Sequence, residues 1–145
     1  ASSHRALAQV LREKGRLDAA KDELAKAREQ DPENPDIMLD LADLCLFRGD
    51  LDEGEKLIQT VVDAQPEHRR AKQLKGIALF RRGRLGDAEP ILVEALNLNP
   101  EPGRAHYYLG RIYEQRGELA KALEHYREAL KRFLDEPDLP QTPAK

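Results

Sequence analysis

The sequence predicts an all-α protein made of four antiparallel helix–turn–helix units in tandem. Three observations carry this. Four Gly-x-Leu triplets stand 34 residues apart: Gly15 with Leu17, Gly49 with Leu51, Gly83 with Leu85 and Gly117 with Leu119. Apolar residues within each 34-residue block recur at i, i+3, i+4 and i+7, the period of an amphipathic helix. The composition, with 35% charged residues, 5% aromatics and abundant Ala, Leu, Glu, Lys and Arg, suits helices better than sheet or disorder.

The elements follow block by block. The repeats occupy 1–34, 35–68, 69–102 and 103–136, with helix A in roughly the first 14 residues of each and helix B in roughly the last 14. Block one shows the pattern with Leu7, Ala8 and Leu11, then Leu17, Ala20, Leu24 and Ala27. Block four repeats it with Leu109, Gly110 and Tyr113, then Leu119, Ala122, Leu123, Tyr126 and Ala129. Each repeat glycine ends an A helix, where a left-handed residue has no Cβ clash, and the Leu two residues on anchors the turn. Ala20, Gly54, Ala88 and Ala122, then Ala27, Val61, Ala95 and Ala129, are small residues for close helix crossings. Pro32, Pro66 and Pro100 close the first three blocks, with Leu134 at that place in the fourth, because proline does not continue a helix. Asp18 and Asp52 are read as N-caps of their B helices. If Asp87 caps the third B helix, Pro90 falls in its first turn.

Composition excludes several functions. A single cysteine leaves no disulfide framework and no Cys-based zinc site. No run approaches the ~18 apolar residues of a membrane helix. A net charge of -3 with pI near 5.9 argues against a nucleic-acid coat protein. His4 and His106 lie three blocks apart, His68 falls in a junction and His125 is read as exposed on a B helix, so no metal site is expected. Asp31, Glu33, Asn34 and Asp36 lack the central Gly and closing Glu of a calcium loop. Cys45 reads as a buried thiol, and His68-Arg69-Arg70 with Lys72 and Lys75 as a repeat boundary. No phosphate loop, nucleophile elbow or paired-carboxylate site appears. The expectation is a chain without catalytic residues or cofactor.

The Leu109-Gly110-x-x-Tyr113 and Ala122-x-x-x-Tyr126-x-x-Ala129 blocks, with the in-phase glycines and prolines, resemble the tetratricopeptide repeat over residues 1–136. Departures are His4, Met38, Lys72 and His106 where the family favours Trp, and Lys75, with Leu74 beside it, where it favours Leu. The resemblance implies a right-handed superhelical solenoid whose A helices line a concave groove for protein or peptide ligands. Transferring the family's groove positions gives Leu39, Asp43, Phe47, Arg70, Leu74, Ile77, Arg81, Arg104, Tyr107, Tyr108 and Arg111 as the candidate site. Its apolar members form an expected interaction patch. Its charges segregate, with Asp36, Asp40 and Asp43 in block two and arginines in blocks three and four. These are either solvated faces or pairs across adjacent helices. Leu46 and Phe80 read as packing residues, and Leu74 and Ile77 join them if the third A helix is rotated. The Lys and Asn clamp by which some family members hold chaperone C-termini is replaced by Arg5, Gln9, Asp40 or Asp43, Arg70 and Leu74, where an acidic tail would meet two aspartates.

The implied partner is another protein or peptide with acidic and apolar residues, with no nucleic acid and no direct membrane insertion. Alternatives are a regulatory or docking segment of a larger enzyme or secretion and assembly protein, or a self-associating module. Fifteen Arg against nine Lys suggest a bacterial source, and the expected compartment is the cytoplasm, with a periplasmic or membrane-tethered parent also open. Ala1 is not an initiator Met, so the chain is expected to be trimmed or cut from something longer. Residues 137–145 carry three prolines and read as a linker or disordered tail where the family often places a capping helix. Leu123 and Leu130 would then be exposed, to be covered by a neighbouring domain, further repeats or a second copy.

Overall fold

A computed structural model describes residues 2–98 and 103–133. The described residues form eight α-helices and no strand: α1 Ser2–Glu13, α2 Leu17–Gln30, α3 Pro35–Arg48, α4 Leu51–Ala64, α5 Arg69–Arg81, α6 Leu85–Leu98, α7 Gly103–Gln115 and α8 Leu119–Phe133. Odd and even helices pair as four hairpins, and the hairpins stack through α2 on α3, α4 on α5 and α6 on α7. The result is a right-handed superhelical solenoid. Pro100, Leu134 and the 137–145 tail lie outside the described residues.

The repeat glycines behave as their register demands. Gly15, Gly49, Gly83 and Gly117 have φ between 77° and 95° and are the only described residues in the left-handed region. Each turn closes with the bond pair of a left-handed helix end. Arg16 N–H donates to the Leu11 carbonyl at 2.8 Å, and Asp50, Arg84 and Glu118 do the same to Cys45, Leu79 and Tyr113. Because that closure is tight, the B helices begin at once, at Leu17, Leu51, Leu85 and Leu119.

This early start corrects two expectations. Asp18 and Asp52 are not caps but the second residues of their helices, whose caps Arg16 and Asp50 make no side-chain capping bond. They still suit the positive helix start, and they pair with Arg48 and Arg82 of the following hairpin. Pro90 lies inside α6, not in its first turn. It forfeits one backbone bond, and the burial of Ala88, Leu92 and Ala95 on the same helix keeps the element intact. The α2 and α4 helices end at Gln30 and Ala64, before Pro32 and Pro66. Pro35 begins α3, where Asn34 caps by accepting from Asp36 N–H at 2.9 Å.

The core runs along the stack through Ala20, Leu24, Ala42, Leu44, Ile58, Ala88, Leu92, Leu109 and Ile112. Gly76 and Gly110 mark the close crossings of their hairpins. A Cβ on Gly76 would stand 2.8 Å from Leu92, and one on Gly110 would stand 2.7 Å from the Tyr126 ring. The two glycines occupy equivalent repeat positions against equivalent partners. Lys75 therefore causes no register shift in α5.

Candidate interaction groove

Helices α3, α5 and α7 pack side by side as well as against their own partners, which puts the A helices on the inner side of the curve. That closeness decides which candidate residues can meet a ligand. Leu39 and Leu74 are fully buried, Ile77 nearly so, and Tyr107 keeps 7% of its surface. These four do not form the open apolar patch expected of them: Leu39, Leu74 and Ile77 belong to the core, and Tyr107 packs on Ala129 and Tyr126 of α8. Leu46 and Phe80 are buried as packing residues. Phe47 is exposed at 59%, with the Arg12 guanidinium 5.8 Å over its ring. Arg81 is exposed on α5.

The charged candidates converge. Asp43 on α3 is buried, and its carboxylate accepts from Arg12 of α1 at 3.2 Å and from both terminal nitrogens of Arg104 of α7 at 3.1 Å. Burial works against ionising Asp43, but Arg104 and Arg12 outweigh it and hold the carboxyl well below the usual aspartate range. One turn away, Asp40 accepts from Arg5 Nε at 2.6 Å and pairs with Arg70 at 2.8 Å. The segregated charges of the sequence are thus one network across α1, α3, α5 and α7. An acidic ligand would not meet two bare aspartates, because each is already shared by two guanidiniums. Arg5 and Arg12 complete this network, and only the shared face of the A helices in the repeat register hinted at them.

Beyond the network lies an aromatic shelf. Phe80 and Tyr108 meet edge to face at 5.4 Å, and Tyr107 and Tyr108 at 5.1 Å. Arg111 spreads over Phe80 at 5.4 Å and Tyr107 at 5.9 Å and donates to the Tyr107 hydroxyl at 3.2 Å. Its planar cation caps the ring faces.

Other residues settle into packing or pairing. Cys45 is buried, and desolvation pushes its thiol up to about 11. Its Sγ lies within 4.8 Å of carboxylate oxygens of Asp50 and Glu53, a cluster the sequence reading missed because the turn brings it together. Lys21 takes Glu53 at 2.8 Å and Arg48 lies 3.6 Å from Asp50, so both carboxylates have cationic partners. His125 is not exposed. It is half-buried with Nδ1 3.1 Å from His106 Nδ1 and its ring stacked on Tyr113 at 5.4 Å. His4 bonds Glu23 at 2.7 Å, and His68 caps α5. The basic run is dispersed, with Arg70 on Asp40 and Lys72 on Glu67 and Glu94.

Models of the tetratricopeptide repeat match residues 11–77 and 74–137. The chain belongs to the tetratricopeptide-repeat family. Among solved structures, the thermophilic tetratricopeptide-repeat protein TTC0263 of Thermus thermophilus superposes with a TM-score of 0.79 at 26% identity, over 94% of this chain and 76% of that one. A MamA crystal structure gives 0.61 at 27% identity, over 90% and 74%. PilF of Pseudomonas aeruginosa gives 0.72 at 24% identity, over 94% and 62%, and shows the fold alone. No curated protein sequence matches the chain. The tetratricopeptide-repeat fold is generally a non-catalytic scaffold for protein–protein interaction. Among the described residues no helix is long and apolar enough to cross a membrane.

Proposed function

We propose that this tetratricopeptide-repeat protein is a non-catalytic scaffold that binds an acidic segment of another protein along its concave face. The charge balance of the groove network carries the reading. Four guanidiniums, of Arg5, Arg12, Arg70 and Arg104, share the two carboxylates of Asp40 and Asp43. Within these pairs two positive charges remain in excess, and Arg81 and Arg111 extend them toward the last two hairpins, while Asp36 near Arg5 and Glu114 near Arg111 offset part of the excess. Arginine takes carboxylates through two parallel N–H bonds, so the excess suits Asp or Glu side chains. Phe47 offers an exposed ring at one edge, suited to apolar ligand side chains, and at the other the Arg111 guanidinium lies over the buried rings of Phe80 and Tyr107. Leu39, Leu74, Ile77 and Tyr107 shape the floor from beneath.

The test uses fluorescent peptides of matched length, acidic or basic, each with and without Leu and Phe. Acidic peptides carrying Leu and Phe should bind most tightly. The affinity should fall at least about tenfold, about 1.4 kcal/mol, in Arg111→Glu, and by a smaller factor in Phe47→Ala. Basic peptides binding as well as acidic ones, or neither substitution mattering, would reject this reading.

A further inference from the structure

We infer that the facing imidazoles of His106 and His125 bind a divalent transition-metal ion and so tie α7 to α8. This site is separate from the arginine groove and independent of its reading. The two histidines stand 19 residues apart in the chain, and the turn between α7 and α8 folds them together, Nδ1 to Nδ1 at 3.1 Å. Both rings are half-buried. Imidazole is the commonest side-chain ligand for such ions and binds them in its neutral form. Burial holds His125 below its ordinary 6.5, so it stays uncharged at neutral pH.

The spacing suits a shared ion. At about 2.05 Å from each nitrogen, an ion spanning 3.1 Å subtends roughly 100°, between a square-planar and a tetrahedral angle. The ring centroids stand 5.3 Å apart, so the nitrogens point at one another along a single hydrogen bond. One Nδ1 donates in that bond and the other accepts. Moving the donor's proton to its own Nε2 leaves a lone pair on each Nδ1, with no net proton lost. The last torsion of a histidine is broad, so a small tilt of each ring turns both lone pairs toward the ion. Tyr113, stacked on His125 at 5.4 Å, walls one side of the site.

The surroundings favour added positive charge. Glu124 and Glu128 of α8 and Glu89 of α6 all act on His125. Glu89 is held by the Tyr113 hydroxyl at 2.5 Å and by Arg116, so it supplies field rather than a ligand. Glu128 lies one turn along α8 from His125, where i and i+3 side chains are neighbours. Its pair with Lys131 is long, at 3.5 Å. Glu128 is therefore the carboxylate able to turn onto the ion, with water completing the shell. Lys121, which lies over the Tyr113 ring, is balanced by Glu118 at 3.2 Å.

Zinc titration of the full untagged chain, stripped of metal by a chelator, tests this. Calorimetry at neutral pH should show Zn²⁺ binding, and Mg²⁺ should not bind. His106→Gln and His125→Gln should each weaken Zn²⁺ by about tenfold or more, and Glu128→Gln by a smaller factor. Zn²⁺ should raise the thermal midpoint of the parent and leave those of both histidine variants where they are. Cu²⁺ supplies a readout that needs no variant: its electron paramagnetic resonance on the parent should carry the splitting of two imidazole nitrogens. No Zn²⁺ binding up to millimolar concentration, undiminished binding in either histidine variant, or a copper spectrum with a single nitrogen overturns the proposal.

Discussion

Arg104 on α7 reaches past α5 to hold Asp43 on α3, with both terminal guanidinium nitrogens 3.1 Å from the carboxylate oxygens. The pair links the second hairpin to the fourth and is largely buried, with 14% and 6% of the two side chains exposed. Removing one partner strands the other charge, which costs more than the pair contributes. Asp43→Ala should destabilise the fold by about 3 kcal/mol in urea denaturation. Asp43→Leu combined with Arg104→Met should cost less than the sum of the single changes.

The same pair sets a pH response. Folded Asp43 ionises well below its ordinary value of 3.8. Its contribution is therefore complete above about pH 4 and is lost as pH falls further toward the folded value. Urea midpoints measured down to acid pH should fall less steeply below that point in Asp43→Asn than in the parent. Parallel curves would show that other carboxylates carry the acid response.

His125 gives a second response at higher pH. Burial holds it below the ordinary 6.5, against the opposing pull of Glu124, Glu128 and Glu89. The facing Nδ1 of His106 offers no place for a second proton between the rings. A histidine whose folded pKa is lowered stabilises the fold above its unfolded pKa and loses that contribution as pH falls. Between about pH 7.5 and about pH 5.5, amide exchange in α7 and α8, corrected for intrinsic rates, should accelerate relative to α3 and α4. His125→Gln should remove the difference.

Two glycine changes should act in opposite directions. Gly110→Ala places a methyl 2.7 Å from the Tyr126 ring, which would have to leave its bond to Glu114. Overpacking of this kind costs about 1–3 kcal/mol. Gly86 in α6 has nothing within 4 Å of an added Cβ and no positive φ, so Gly86→Ala should gain about 0.5 kcal/mol from reduced unfolded-state freedom. A thermal midpoint that does not fall in Gly110→Ala would contradict the close crossing of α7 and α8.

Pro90 is exposed in the second turn of α6. Pro90→Ala restores an N–H to the helix ladder, so the thermal midpoint should rise, with about 1 kcal/mol or more of stabilisation. A drop would mean that the ring is needed where it stands.

The sequence by itself determined the repeat unit, its phase and the residue classes that build it. Glycine at φ near 80°, small residues at crossings and amphipathic spacing are local demands, and each can be read from 34-residue register alone. It also placed Asp40, Asp43, Arg70 and Arg104 on the A helices' common face, and it foresaw Leu123 and Leu130 as open. Only the tertiary structure decided how that face is used. Superhelical curvature brings α3, α5 and α7 together and draws Arg104 across an entire hairpin to Asp43, while packing within the stack buries Leu39, Leu74, Ile77 and Tyr107. The position of a residue within its helix is set over a few turns, whereas its neighbours across the groove depend on the small rotation between hairpins summed along the stack. That sum turned a row of separate charges into one network with positive charge to spare.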